Sequence, residues 1–320
     1  MAASYTVPVA GVYVASAGYM FGHAGVARKC IIESLNNIPT PDLETFINVM
    51  NQLRDKERIP VCHYLLTDIN KTRISIVHVD RRWHAFRLAI RNDTTGVWDY
   101  TDMPPCQGEW TPGPQTAASV STGSDLGHGG SLNQALVGIE FHIPFKVDGI
   151  AHQVHSGQGL IIDSKIGLIV TDRNAIPTFI GDVLITFANS IAIAGEIIYI
   201  HQIYNYAILK YDPTLLGNTC VKEAVLNASE LNQNEEIVLV CMTKSQQPIV
   251  RKTVVTNIRQ FFVPEPSPPA YRATNVEGVE LENPVSSGGV IVKNGEVHAL
   301  YLSYTKHMAK QRAEVVPHLI

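Results

Sequence analysis

Residues 157–176 read "GQGLIIDSKIGLIVTDRNAI". Two apolar runs of strand length, "GQGLIID" and "GLIVTD", are bounded by Gly, Asp, Ser and Asn rather than carried on a helical period, so they read as paired β-strands. Runs of the same kind recur downstream: "DVLITFA", "IAIAGEIIYI", "NYAILKYD", "EIVLVCM", "RKTVVTNI", "GGVIVK" and "EVHALYL". Their close spacing, with turn residues between, predicts an all-β barrel or sandwich. The last ten residues are the one helical candidate in this half.

Upstream, residues 104–136 are rich in Pro, Gly, Ser and Thr and carry no apolar period. That composition predicts a flexible linker. Before it, "GVYVAS" at 11–16 and "KCIIESLNN" at 29–37 read as strands, the second ending in an Asn-Asn turn. The stretch "TPDLETFINVMNQL" at 40–53 then predicts a helix. Thr40 serves as cap, Pro41 suits the first helical position, and Asp42 and Glu44 favour the positive end of the dipole. Leu43, Phe46, Ile47, Met50 and Leu53 give it one apolar face. Two more strands, "RIPVCHYLL" and "TRISIVHVD", complete a compact α+β unit. "RNDTTGVWDY" at 91–100 reads as a turn at Asn92 to Gly96 with a buried aromatic pair on its exit, and as a domain-docking element in its functional reading.

Bulk properties exclude several classes. An apolar fraction of 45% and a charged fraction of 17% describe a globular chain with a real core. The net charge of −4 is spread along the sequence and gives no electrostatic footprint for nucleic acid. Five scattered cysteines without C-x-x-C spacing read as reduced thiols, not a disulfide frame or a zinc site. The start lacks signal-peptide character, and no window approaches the roughly 20 apolar residues that span a bilayer. The expectation is an intracellular protein, with the sequons at Asn70, Asn92 and Asn227 unused. Neither cofactor nor metal is expected; the His152 and His155 pair has no recognised ligand spacing.

The second half resembles the trypsin-like barrels of HtrA-family proteases. "GQGLIIDSKIGLIVTDRNAI" is similar to the stretch ending at that family's catalytic histidine. "YNYAILKYD" is similar to the one carrying its aspartate, and "NPVSSGGVIVKNGEVHALYL" to the nucleophile loop and following hairpin. The first half resembles an HtrA-type PDZ domain. "TPDLETFI", "RNDTTGVWDY", "NYAILKYDP" and "YRATNVEGVEL" look like the middle of the fungal nuclear HtrA-like proteases, which double the protease-plus-PDZ arrangement. The resemblance implies a PDZ domain followed by a second, degenerate protease domain. It also implies that the chain starts inside the first PDZ domain, which would lack part of its first strand. The active N-terminal protease domain would then lie outside it.

On that resemblance Ser287 takes the nucleophile position, Asn174 the histidine position and Asn205 the aspartate position. A serine hydroxyl needs a base to remove its proton and a third group to hold that base's tautomer. An amide cannot accept and return a proton near neutral pH, and Asn205 carries no charge to stabilise an imidazolium. Val285 stands where the family has the glycine of the oxyanion loop, and its β-branch makes unusual backbone angles costly. Losing one oxyanion donor costs about 2.7–4 kcal/mol in a working enzyme. The plain reading of Ser286-Ser287-Gly288-Gly289 is a tight turn. Among the twelve histidines, His201, His152 and His155 are the candidates for a substitute base.

PDZ domains take an extended peptide as an added strand. On the resemblance, Ala10, Gly11, Val12, Tyr13 and Val14 offer the strand edge, and Leu43, Ile47 and Met50 face the groove; the alternative is that these apolar residues fill the core. The reading is therefore a mainly β chain with an α+β module: a PDZ-like domain over 1–103, a linker over 104–136, and a trypsin-like double β-barrel over 137–320, inactive as a protease. Its expected partners are protein or peptide segments, including an active HtrA-like protease domain of a fuller chain, with neither nucleic acid nor membrane. Nuclear location is implied by the resemblance, cytoplasmic otherwise. The rival readings are a serine endopeptidase, active through a substitute base or in a fuller chain, and a truncated gene product.

Overall fold

The structure, a computed structural model, describes residues 10–84, 86–104, 108–117, 132–243, 248–262, 272–273, 275–283, 288–302 and 312–314. The chain divides into two compact units, 1–113 and 114–320.

In the first unit an antiparallel sheet runs in the order β1 (Val12–Tyr13), β2 (Cys30–Leu35), β4 (Arg58–Leu65), β5 (Asp68–His78), with β3 (Ile38–Pro39) also on β2. Asn36 and Asn37 make the β2–β3 turn with φ of 52° and 63°. Both are left-handed, which asparagine tolerates better than other side-chain-bearing residues and which fits a tight hairpin. Helix α1 (Gly18–His23) is short, and α2 (Leu43–Gln52) supplies Val49 and Met50 to a core with Val14, Ile32, Leu35, Ile59, Val61 and Val77.

The cap of α2 differs from expectation. Asp42, in extended conformation, accepts from the Thr45 amide at 2.7 Å and begins the helix at Leu43. This bond holds the Asp42 carboxyl below its usual pKa. Thr40 is fully buried and its N–H goes to Glu33 O at 2.8 Å, so the chain is still extended there. At the other end Arg81 donates to the Met50 and Leu53 carbonyls and to Asp55, satisfying C-terminal carbonyls that the helix itself leaves open.

Residues 91–100 also differ. They belong to a two-stranded hairpin, β6 (Arg87–Arg91) and β7 (Trp98–Asp102), separate from the main sheet. Trp98 and Tyr100 are 51% and 59% exposed rather than buried, and among the described residues no further strand pairs with the hairpin. Tyr100 lies instead under the Arg87 guanidinium, 4.6 Å from its ring centre.

The second unit holds two closed six-stranded barrels. The first joins β8 (Leu136–His142), β9 (Val154–Asp163), β10 (Leu168–Asp172), β11 (Asp182–Phe187), β12 (Ile191–Ile200) and β13 (Tyr206–Lys210); the second joins β14 (Glu236–Met242), β15 (Pro248–Phe262), β16 (Asn275–Leu281), β17 (Gly289–Lys293), β18 (Glu296–Leu302) and β19 (Arg312–Glu314). Residues 312–314 are thus strand, paired with β16 and β18, where the sequence suggested a terminal helix.

The opening "GQG" now has a physical reason. A Cβ on Gly159 would stand 2.5 Å from Ile169 Cγ2 and 2.7 Å from Ile139 Cδ1, and one on Gly157 would stand 2.5 Å from the Ala175 side chain. Between them Gln158 reaches the second barrel: it donates to Met242 O at 2.9 Å and accepts from Met242 N at 2.8 Å. Leu160, Val170, Val240, Val290 and Leu300 share one apolar cluster across both barrels.

The linker character read from composition does not extend over all of 104–136. Asp55 exchanges bonds with the Gly108 carbonyl and the Trp110 amide, while Gln115 donates to Leu215 O. Leu132, Ala135 and Leu136 are buried in barrel core. No helix among the described residues is long and apolar enough to cross a membrane.

Candidate functional site

Three segments of the second unit meet around one carboxylate. The turn after β10 is held by Asp172, whose Oδ1 accepts from Asn174 N at 2.5 Å and from Asn205 Nδ2 at 3.1 Å. Its main-chain carbonyl accepts from the Ala175 and Ile176 amides. The 201–205 turn, which leads into β13, presents Asn205, fully buried. The segment ahead of β16 sends in Arg272, whose Nη1 donates to Asn205 Oδ1 at 2.5 Å, while Ala273 N bonds Ile203 O. Asn174 and Asn205 are therefore brought to the same aspartate, and Arg272 occupies Asn205's carbonyl oxygen. Val285 and Ser287 lie outside the described residues, as does Ser286.

Chemically this is a network of amides, one carboxylate and a guanidinium. Neither amide is a base. Of the three histidines offered as substitutes, His201 and His155 have partners of their own, and His152 is exposed. His201 Nδ1 accepts from Ile203 N at 3.1 Å and Tyr204 N at 2.9 Å, which requires that nitrogen to be unprotonated. Its ring packs among Tyr199, Tyr204 and Tyr206. His155 Nε2 faces the His152 carbonyl at 2.9 Å and so donates there.

Arg173 borders the same turn, with its amide on Asn205 O at 3.2 Å and its Nη1 on Gln202 O at 2.8 Å. Burial first, then the Arg272 charge, pushes its pKa below the ordinary value.

The second candidate is in the first unit. Strand β1 lies at the edge of the sheet, with Val12 opposite Ile32 and Tyr13 opposite Ile31. Val14 N bonds Cys30 O at 2.9 Å, so antiparallel alternation turns the Tyr13 N–H and C=O away from β2, toward the open edge. Gly11, at φ 109°, packs so tightly on Ile31 that a Cβ would stand 2.5 Å from its Cγ2. The Gly11 N–H goes to Pro41 O at 2.8 Å, tying the strand's start to the approach of α2. Of the groove residues expected from sequence, Ala10, Tyr13 and Leu43 are exposed, Gly11, Val12 and Ile47 are half-buried, and Val14 and Met50 sit in the core.

Asp172, Arg272, Gln158 and Arg81 were missed by sequence reasoning. Asp172 had a local signal, two residues ahead of Asn174; Arg272, 67 residues from its partner, had none.

Residues 1–56 match a PDZ-like domain model. The chain is 32% identical over 318 residues to the pro-apoptotic serine protease NMA111 of Yarrowia lipolytica, covering 95% of this chain and 32% of that protein. Over almost its whole length the chain is thus similar to part of an HtrA-like serine protease. The NMA111 of Phaeosphaeria nodorum is 34% identical over 94% of this chain and 31% of its own length. A PDZ domain-containing protein of Schizosaccharomyces pombe is 30% identical over 100% of this chain and 33% of its own length. The chain thus spans about a third of the length of these HtrA-like relatives. Among solved structures, the Rv3671c protease of M. tuberculosis aligns with TM-score 0.45 and 13% identity, over 67% of this chain and 89% of that one. Deg5 aligns with TM-score 0.45 and 15% identity, over 59% and 87%.

Proposed function

We propose that the chain is the non-catalytic part of an HtrA-like serine protease: a PDZ-like module and a degenerate protease module that bind protein segments. Those segments include peptides and an active protease domain in a fuller chain. One observation carries the reading. The Asp172 carboxylate accepts from the Asn174 main-chain N–H and the Asn205 side-chain amide, and Asn205 is held by Arg272, so the positions that the resemblance gives to histidine and aspartate carry neutral amides and the network holds no imidazole to serve as general base for a serine. On the sequence, Ser287 then stands without a base, and Val285 replaces the oxyanion-loop glycine that the resemblance implies. The nucleus is the proposed location, on the names of the relatives.

Peptide capture belongs to β1. An extended ligand would pair with the outward Tyr13 N–H and C=O, and its side chains would lie beside Leu43 and Ile47. Selection of binding peptides from a random C-terminal library tests this. Tyr13→Pro removes the outward donor while leaving the bonds of Val14 to β2, and is expected to abolish capture in a folded protein. Undiminished capture by that variant overturns the assignment.

A further inference from the structure

Strand β5 forms one end of the first unit's sheet, and among the described residues no strand pairs with its far side. Across from it, Pro60 has no N–H to give, and its carbonyl accepts from Asn36 N at 2.8 Å, on the β2 side. Ile76, which pairs with Pro60, therefore turns its own N–H and C=O away from β4, and by antiparallel alternation so does Ile74. Among the described residues no main-chain group bonds either of them there. Their side chains are 73% exposed for Ile74 and 47% for Ile76, on the face they share with half-buried Cys62 and Pro60. Open edges are ordinarily guarded by charge, by proline or by a bulge. The first half of β5 is guarded in this way: it carries Lys71 and Arg73, and its register against β4 shifts between His63 and Leu65. The run Ile74-Ser75-Ile76-Val77 has none of the three. Both barrels of the second unit are closed, so their strands offer no comparable edge.

We propose that β5 is a self-association edge, pairing antiparallel with β5 of a second copy of this chain about a two-fold axis at Ser75. Charge and apolar pattern select that occupant and that register. Only outward residues exchange bonds across such a pair, so Ile74 and Ile76 must meet outward residues of the other strand. An axis at Lys71, Thr72 or Arg73 would oppose Lys71 to Lys71, Lys71 to Arg73, or Arg73 to Arg73, and like charges directly opposite are unfavourable. An axis at Ile74 would set Ile76 against Thr72. The axis at Ser75 sets Ile74 of each copy against Ile76 of the other, places Arg73 opposite Val77 and leaves Lys71 outside the paired stretch. The strand therefore finds in its own copy an apolar residue for each isoleucine and no like charge. One strand pair buries less than the standard stable interface of about 1,600 Å², so the dimer is weak and forms as concentration rises.

The test is sedimentation velocity of the whole chain from about 1 µM to about 200 µM, the range in which so small an interface assembles. The sedimentation coefficient is expected to rise from that of a monomer to that of a dimer. Amide hydrogen exchange over the same range locates the contact: exchange at Ile74 and Ile76 is expected to slow at least tenfold, while Ser75 and Val77, whose amides face β4, stay unchanged. Ile74→Lys, at a position 73% exposed, replaces the apolar contact by a charge beside Arg73. It is expected to weaken the dimer at least tenfold with the unfolding midpoint unchanged. The exchange measurement is made on the wild type and so decides the case whatever that variant's folding. A monomer at every concentration, a dimer in which exchange at Ile74 and Ile76 does not slow, or a dimer that a folded Ile74→Lys leaves at wild-type strength overturns the proposal.

Discussion

Arg272 Nη1 donates to the Oδ1 of Asn205, 67 residues earlier, at 2.5 Å, and through it the second barrel fills a buried polar position of the first. Asn205 turns its other end, Nδ2, to Asp172. Both polar ends of a fully buried amide are thereby satisfied, one by a guanidinium and one by a carboxylate. Arg272→Met removes the donor and leaves that oxygen without it, so the chain is expected to lose about 1–3 kcal/mol of stability. Urea unfolding of the two proteins, followed by far-UV dichroism, measures the difference, since the three tryptophans all lie in the first unit.

Gln158 makes the second polar link between barrels. Its amide satisfies the N–H and the carbonyl of Met242, a residue 7% exposed. Gln158→Leu keeps most of the volume and removes both bonds, an expected loss of about 1–3 kcal/mol. Thermal unfolding in a calorimeter reports it as a lower midpoint, and a separate early transition would show the barrels parting first.

Tyr211 lies in the first barrel's core, 2% exposed, with its ring 4.7 Å from that of Phe187. Its hydroxyl is buried without a hydrogen-bond partner among the described residues, and burial, then Asp163, pushes its pKa to about 12. A buried hydroxyl without a partner is a cost to folding. Tyr211→Phe is therefore expected to be neutral or to stabilise by up to about 1 kcal/mol, a sign opposite to most core substitutions. Equilibrium unfolding in guanidinium decides the sign.

His63 in β4 gives the first unit a pH dependence. Its Nε2 pairs with Ser75 Oγ at 3.0 Å, its Nδ1 is buried without a hydrogen-bond partner among the described residues, and burial, then the Arg73 charge, lowers its pKa. The folded state therefore binds a proton less readily than the unfolded one. As pH falls below the unfolded value of about 6.5, the unfolded state takes up that proton first, and stability declines until the folded pKa is passed. His63→Gln removes this contribution. Unfolding midpoints at pH 7.5 and 5.5 are expected to fall less in the variant than in the wild type.

The sequence made some of this legible and not the rest, for physical reasons. The strands of 157–176 follow from composition, and the structure adds why two glycines flank Gln158: their Cβ atoms have no room. The α2 face was visible from its period. Its cap was not, because Thr40 and Asp42 are both capping residues, and only the Thr40 bond to Glu33, made across the fold, keeps the chain extended past Thr40. Trp98 and Tyr100 looked like core residues because aromatic side chains usually are; they stand exposed on a two-stranded hairpin apart from the main sheet. Asn174 and Asn205 stood out in local motifs. Arg272 did not, since nothing nearby in sequence ties it to a turn 67 residues away.

The proposed non-catalytic role requires that Ser287 carry no activated hydroxyl. Incubation of the purified, folded protein with a fluorophosphonate probe, beside Ser287→Ala and a competent serine protease as positive control, tests it most directly. Wild type and Ser287→Ala are both expected to stay unlabelled while the control labels fully. Labelling of the wild type that disappears in Ser287→Ala would contradict it.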